Sequence, residues 1–136
     1  MLKTNEIYNM DCMEGLKLLD DKSIDLVVID PPYKLDLNKV KNTTTFNNYA
    51  NDLLGLKDGF DLKVLDLLIQ KMKKINIYIY CSKRQIQELL EYFSSKGCNY
   101  EVLTWHKQNP SPLTNNIYLP DTEYIVFARE KGVKLY

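Results

Sequence analysis

The sequence is short of several things, and each shortage closes off a class of function. It has one histidine, His106, in 136 residues. A histidine-based metal cluster has no material to be built from, and a catalytic triad would have to use this one ring, so neither is expected. There are three cysteines, Cys12, Cys81 and Cys98. An odd number without zinc-type spacing predicts reduced thiols and a cytoplasmic setting. No stretch approaches the ~18 continuous apolar residues of a membrane span. The opening MLKTNEIYNMDCMEG has no apolar segment of the kind a signal peptide needs, so no membrane partner is expected. Net charge is also missing: 18 basic residues balance 18 acidic ones. A protein that grips nucleic acid unaided usually shows a basic excess. Lys34, Lys39 and Lys41 cluster, as do Lys71, Lys73 and Lys74, and both groups read as solvated surface. The five glycines, Gly15, Gly55, Gly59, Gly97 and Gly132, include no G-x-G pair, so there is no nucleoside-cradling loop.

What is present is 45% apolar residues arranged in blocks, enough for one core, and a single domain over residues 1–136 is expected. Residues 6–10 read as a short strand, and Asp11 with Glu14 forms a helix-starting pair. Cys12, Leu16 and Leu19 then share a helical face. Residues 24–30, IDLVVID, are almost continuously apolar and β-branched, as in a parallel strand covered on both faces. Residues 34–56 are rich in Asn, Thr and Lys without a sustained period, and are read as a mobile substrate loop. A helix follows at about 60–73, with Leu65, Leu68, Ile69 and Met72 on one face. Residues 75–81 form a strand, Ser82 and Gln85 a capping-box pair, and Ile86, Leu89, Leu90 and Phe93 the buried face of the next helix. Gly97 occupies the position of a C-terminal cap. Strands are expected at 100–107 and 123–129, separated by a turn-rich loop. This alternation implies an α/β layered sheet with crossover helices.

The chemistry concentrates where the most buried strand ends. Asp30 is followed at once by Pro31, Pro32 and Tyr33. In open α/β sheets, ligands bind beyond the carboxyl ends of the strands. The prolines hold the chain extended, donate no backbone hydrogen bond and leave their carbonyls as acceptors. A carboxylate, a carbonyl and an aromatic ring at one strand end suit the presentation of an exocyclic amino group on a planar base. Such a nitrogen is a poor nucleophile because its lone pair is delocalised into the ring. Two acceptors aimed at its hydrogens, Asp30 and the Pro31 carbonyl, favour a pyramidal nitrogen, and Tyr33 can stack on a base taken out of the duplex. Preorganised groups of this kind are each worth on the order of 10²–10³ in rate.

Asp-Pro-Pro-Tyr in this setting resembles motif IV of the DNA N6-adenine and N4-cytosine methyltransferases. The resemblance extends upstream through IYNMDCMEGLKLLDDKSIDLVVIDPPY and downstream through IYIYCSKRQIQELLEYF and WHKQNPSPLTNNIYLPDTEYIVFARE, nearly the whole chain. It implies that Asp11 meets the adenine amino group of S-adenosylmethionine, although Met10 stands where the family usually has glycine. It also implies that Trp105, Lys107, Asn109 and Pro112 surround the target base. The implied activity is methyl transfer from S-adenosylmethionine to adenine N6 in DNA, or cytosine N4. Alternatives are an inactive domain that binds DNA or a partner, and methylation of RNA or a protein glutamine amide.

The family's Phe-x-Gly-x-Gly cofactor loop has no counterpart here. The resemblance therefore implies a partial Rossmann-like methyltransferase sheet, mostly parallel with an antiparallel last strand and flanking helices, lacking the strands of the cofactor half. In the family order 3-2-1-4-5-7-6, strands 1 and 2 would be missing, leaving the 24–30 strand with an open apolar edge. A second chain carrying the cofactor half, another copy of this chain, or a rearranged N-terminal segment is expected to cover that edge, with DNA as substrate.

Overall fold

A computed structural model describes residues 2–34, 59–110 and 118–135. Its elements in chain order are α1 (Cys12–Lys17), β1 (Val27–Ile29), α2 (Lys63–Lys71), β2 (Asn76–Cys81), α3 (Ile86–Ser95), β3 (Asn99–His106) and β4 (Thr122–Arg129). They build a four-stranded sheet in the order β1-β2-β4-β3. The pair β1–β2 is parallel, and β4 runs antiparallel to both β2 and β3. Three strands therefore point one way and the last points the other, which is the mixed sheet expected from the sequence. The order is also that of family strands 4-5-7-6.

The alternation of β2 explains where the core lies. Ile77, Ile79 and Cys81 are essentially inaccessible, whereas Asn76, Tyr78 and Tyr80 are half-buried. The register continues the first face with Ala128, Val126 and Tyr124 on β4. Leu65, Leu68 and Met72 from α2 and Leu89 and Phe93 from α3 close over it in one apolar cluster. Both helices show the expected i, i+3, i+4 spacing. Gly97 adopts φ 72°, the left-handed conformation expected of a glycine cap. Its N–H bonds to the Ser94 carbonyl, and the next N–H, of Cys98, to that of Phe93.

The opposite face is covered only in part. Phe127 stacks on Tyr78 at 4.3 Å and is buried. Val28, Leu103 and Trp105 on the same side stand open at 59%, 40% and 54% exposure.

Three expectations need correction. Residues 6–10 form no strand, and Ile7 is fully exposed. A strand requires a ladder partner, and among the described residues the sheet ends at β1. The 24–30 strand is shortened to Val27–Ile29, with Ile24 making an isolated bridge to Met72. It is an edge strand, so Leu26 and Val28 are open instead of covered. Its free edge matches the expectation of missing neighbours.

The second lysine cluster is not solvated surface throughout. Lys71 is 8% exposed and its ammonium meets the Asp21 carboxylate at 2.6 Å, while Lys73 pairs with Asp25 at 2.8 Å. The Lys71 ammonium, then the Gln70 amide, holds the Asp21 carboxyl below its usual range. Backbone bonds from Ser23 and Ile24 to the Lys71 carbonyl complete a seam between the start of β1 and the end of α2. The expected substrate loop lies, apart from Lys34, outside the described residues, as do Lys39 and Lys41. Among the described residues no helix is long and apolar enough to cross a membrane.

This packing makes a direct stability prediction. Phe93→Ala should cost about 3–5 kcal/mol in urea unfolding, because it empties the centre of the core. Val102→Thr on exposed β3 should stay within about 0.5 kcal/mol. Equal effects at the two positions would contradict the burial of Phe93 and the exposure of Val102.

Candidate active site

The site forms at the carboxyl ends of β1, β2 and β3, where β4 begins. Asp30, Pro31 and Pro32 leave β1 and line one end of a cleft of about 600 Å³. The cleft runs between α1, β1 and α2, with walls from Tyr8, Met10, Leu16, Val28, Phe60 and Val64. Cys12, Leu16 and Leu19, the face expected of α1, all reach it.

Asp11 sits between two cleft residues, Met10 and Cys12, as the N-cap of α1. Its Oδ1 accepts from the Met13 and Glu14 N–H groups at 2.9 and 3.2 Å. This is the expected cap. The partner Glu14 does not return a bond to the Asp11 backbone but pairs with Lys17 at 2.6 Å.

The Tyr33 phenol lies near the Asp30 carboxylate. Burial first, then the neighbouring Asp30 carboxylate and the negative charge of Glu123, push the phenol far above its ordinary range, so it is protonated at neutral pH. One carboxylate offers about four acceptor positions, so the phenol leaves others free on Asp30.

Glu123 ties the remaining residues to this group. Its carboxylate acts on Tyr33, accepts the Lys107 ammonium at 2.6 Å, and stands opposite Trp105 in the β3–β4 register. Trp105 meets Tyr80 edge-on at 6.1 Å and leaves half its surface open. Asp30, Pro31, Pro32, Tyr33, Trp105 and Lys107 are thus gathered at one end of the sheet. Asn109 is exposed beyond them, and Pro112 lies outside the described residues. His106 approaches the Asp121 carboxylate at 3.7 Å with its ring mostly in solvent. Among the described residues no cluster of histidine, cysteine and carboxylate could hold a metal.

Two contributors were not read as site residues from the sequence. Glu123 carries no local signal, since its role comes from strand register. Gln85 was legible only as half of a capping box. It is 3% exposed, and its carboxamide reaches the segment after Asp30: Nε2 donates to the Pro32 carbonyl at 3.3 Å, and Oε1 accepts from the Lys34 N–H at 3.2 Å. It also performs the expected cap, accepting from the Ser82 N–H at 3.0 Å.

A mixed sheet ending in an antiparallel hairpin, with an Asp-Pro-Pro-Tyr segment at a strand end beside an open cleft, matches the methyltransferase form of α/β fold. The chain is similar to part of two type II methyltransferases. It is 26% identical to M1.MboII of Moraxella bovis over 129 residues, 93% of this chain and 46% of that one. It is 27% identical to M.BamHI of Bacillus amyloliquefaciens over 132 residues, 96% of this chain and 30% of that one. The chain thus spans half or less of the curated relatives it matches. The crystal structure of M1.HpyAVI superposes with a TM-score of 0.61 at 22% identity, over 93% of this chain and 57% of that one. The M1.HpyAVI–SAM complex gives 0.60 at 21% identity, over 93% and 56%. These structures share the fold. No protein-family model matches the chain.

The three thiols test how the site end is packed. Burial pushes Cys81, beneath Tyr33, from the ordinary 9.0 up to about 11, whereas Cys12 is exposed. Iodoacetamide at pH 8 should label Cys12 at once and Cys81 only on unfolding. The raised value stabilises the fold fully below about pH 9. That stabilisation falls away as pH climbs through 11, since the unfolded thiol ionises first. A Cys81→Ala chain should lose that part of the alkaline slope, and Cys81 labelling as fast as Cys12 would contradict the packing.

Proposed function

We propose that this chain is the catalytic half of an S-adenosylmethionine-dependent DNA amino-methyltransferase acting on adenine N6, with cytosine N4 as the second target. The observation that carries the reading is the Asp30–Tyr33 segment, whose Asp30, Pro31 and Pro32 line a cleft at the end of β1. Asp30 and the Pro31 carbonyl accept the two amino hydrogens of the extruded base. That loosens the nitrogen lone pair from the ring, and the Asp30 charge stabilises the cationic nitrogen that methylation creates. Tyr33 and Trp105 offer aromatic faces, and Lys107, Asn109 and Pro112 border the base.

The cleft fits one wall of a nucleoside. Tyr8, Met10 and Leu16 give it an apolar side, and Asp11 beside it keeps its second carboxylate oxygen clear of the helix cap. S-adenosylmethionine, when bound there, supplies the electrophilic methyl group. The glycine-loop wall has no counterpart in this sequence. In this reading that wall, a strand for the free edge of β1 and the cover for Val28 come from outside residues 1–136, on a further segment or a second polypeptide. Charge agrees with this division of labour: 18 basic residues balance 18 acidic ones, so these residues carry no basic excess with which to grip DNA alone.

The test is methyl transfer to unmethylated DNA. The chain is mixed with a polypeptide spanning the part of M1.MboII that it does not cover, and nuclease digests are read by mass spectrometry. N6-methyladenine, or else N4-methylcytosine, should form only when both pieces are present. Asp30→Ala should lower the rate on the order of 10²-fold or more. Neither modified base above the Asp30→Ala background would favour the alternative, a domain that binds without catalysing.

A further inference from the structure

We propose that Gln85 is a positioning residue for the base-holding segment, a role that rests on the function proposed above. The geometry assigns it through one side chain that brackets one residue. The Pro32 carbonyl lies immediately before Tyr33 and the Lys34 N–H immediately after it. The Gln85 carboxamide binds both, at 3.3 and 3.2 Å. Few backbone freedoms are left in this stretch. The two proline rings fix their own φ angles, and Pro31 is further confined by the proline that follows it. The rotation that sets the Pro32 carbonyl is the main remaining one, and Gln85 Nε2 holds it. With the backbone fixed on both sides, the direction of the Tyr33 Cα–Cβ bond is set, and the side chain starts from one place beside Asp30. Gln85 therefore positions Tyr33 without facing the cleft itself.

The surroundings leave the carboxamide one orientation. Oε1 receives the Lys34 N–H, the Ser82 N–H and the Ser82 hydroxyl, the last two at 3.0 Å. Turning the amide over would set its NH₂ against two backbone donors and its oxygen against a carbonyl. Burial at 3% exposure keeps water from substituting for either bond. The single Ser82 hydroxyl hydrogen has the Lys34 carbonyl, at 3.3 Å, as its alternative acceptor, so the turn after β2 lies against the same segment. Gly59 supplies the room. It sits at φ 81°, and a Cβ there would come within 3.1 Å of Gln85 Nε2. A helix cap alone needs only the bond to Ser82. The two bonds to residues 51 and 53 positions away serve the segment.

Gln85→Glu separates the two roles. It keeps an acceptor for the Ser82 and Lys34 N–H groups. Its second oxygen faces the Pro32 carbonyl, donating when protonated and repelling when ionised. In ¹H–¹⁵N spectra of the purified chain, the Tyr33 and Lys34 amides should match wild type at pH 5 and depart from it at pH 8, while the α3 amides stay unchanged. Wild-type shifts at both pH values would overturn the assignment. If the charge unfolds the chain at pH 8, Gln85→Met gives the second reading. Its Tyr33 and Lys34 amides should shift further than those of α3, and equal shifts throughout would reduce Gln85 to a cap. In the two-piece methylation assay, Gln85→Glu should lower kcat roughly 10- to 100-fold at pH 8, recover as pH falls, and leave KM for DNA within about twofold. Unchanged kcat with an active wild type would refute the positioning role. If the wild-type mixture transfers no methyl group, the function itself fails, and the spectra still decide what Gln85 does.

Discussion

Everything at the active end hangs on β2. It is the strand with a parallel neighbour on one side and an antiparallel one on the other. Its inward residues Ile77, Ile79 and Cys81 are sealed by both long helices. The Asp30 segment is attached to this anchor twice: by the three-residue ladder from Val27–Ile29 to Ile77–Ile79, and by the turn that begins at Ser82. Three ladder residues are few for a parallel strand, since a β-strand usually runs 5–6 residues. The seam of Asp21, Ser23 and Ile24 with Lys71, and of Asp25 with Lys73, offsets that shortness. It fixes the start of β1 to the end of α2. The two ends of β1 are thus pinned by different means, polar contacts before it and the Gln85 carboxamide after it.

The division of polar and apolar surface follows from the same anchor. The helices pack on one face of the sheet and leave the other for aromatic residues. Tyr78 stacks on the buried Phe127 and Tyr80 is half-buried, while Trp105 stays open near the site. An apolar face bordering a free strand edge costs solubility unless something covers it. Under the proposed function, that open surface is where the remaining part of the enzyme would pack.

Much of this was legible in the sequence because it depends on local pattern. The β-branched run into Asp30, the i, i+3, i+4 spacing of α2 and α3, Gly97 and the Asp-Pro-Pro-Tyr segment are read directly along the chain. The failures share one cause, dependence on partners distant in sequence or absent. EIYNM has strand chemistry but no neighbouring strand, so it stays irregular. Lys71 looks like surface until Asp21, 50 residues away, takes its charge. Gln85 satisfies a capping rule so well that its longer reach to Pro32 and Lys34 leaves no trace in the sequence. Glu123 is placed only by strand register. The Asp-Pro-Pro-Tyr motif is local, but the groups that hold it still are not.

The open Trp105 has a practical bearing. It is the single tryptophan of the chain, and it stands at the site end with half its surface in water. Indole emission shifts with the polarity of its surroundings. The protein therefore carries its own unlabelled optical probe at the place where a base or a covering chain would arrive.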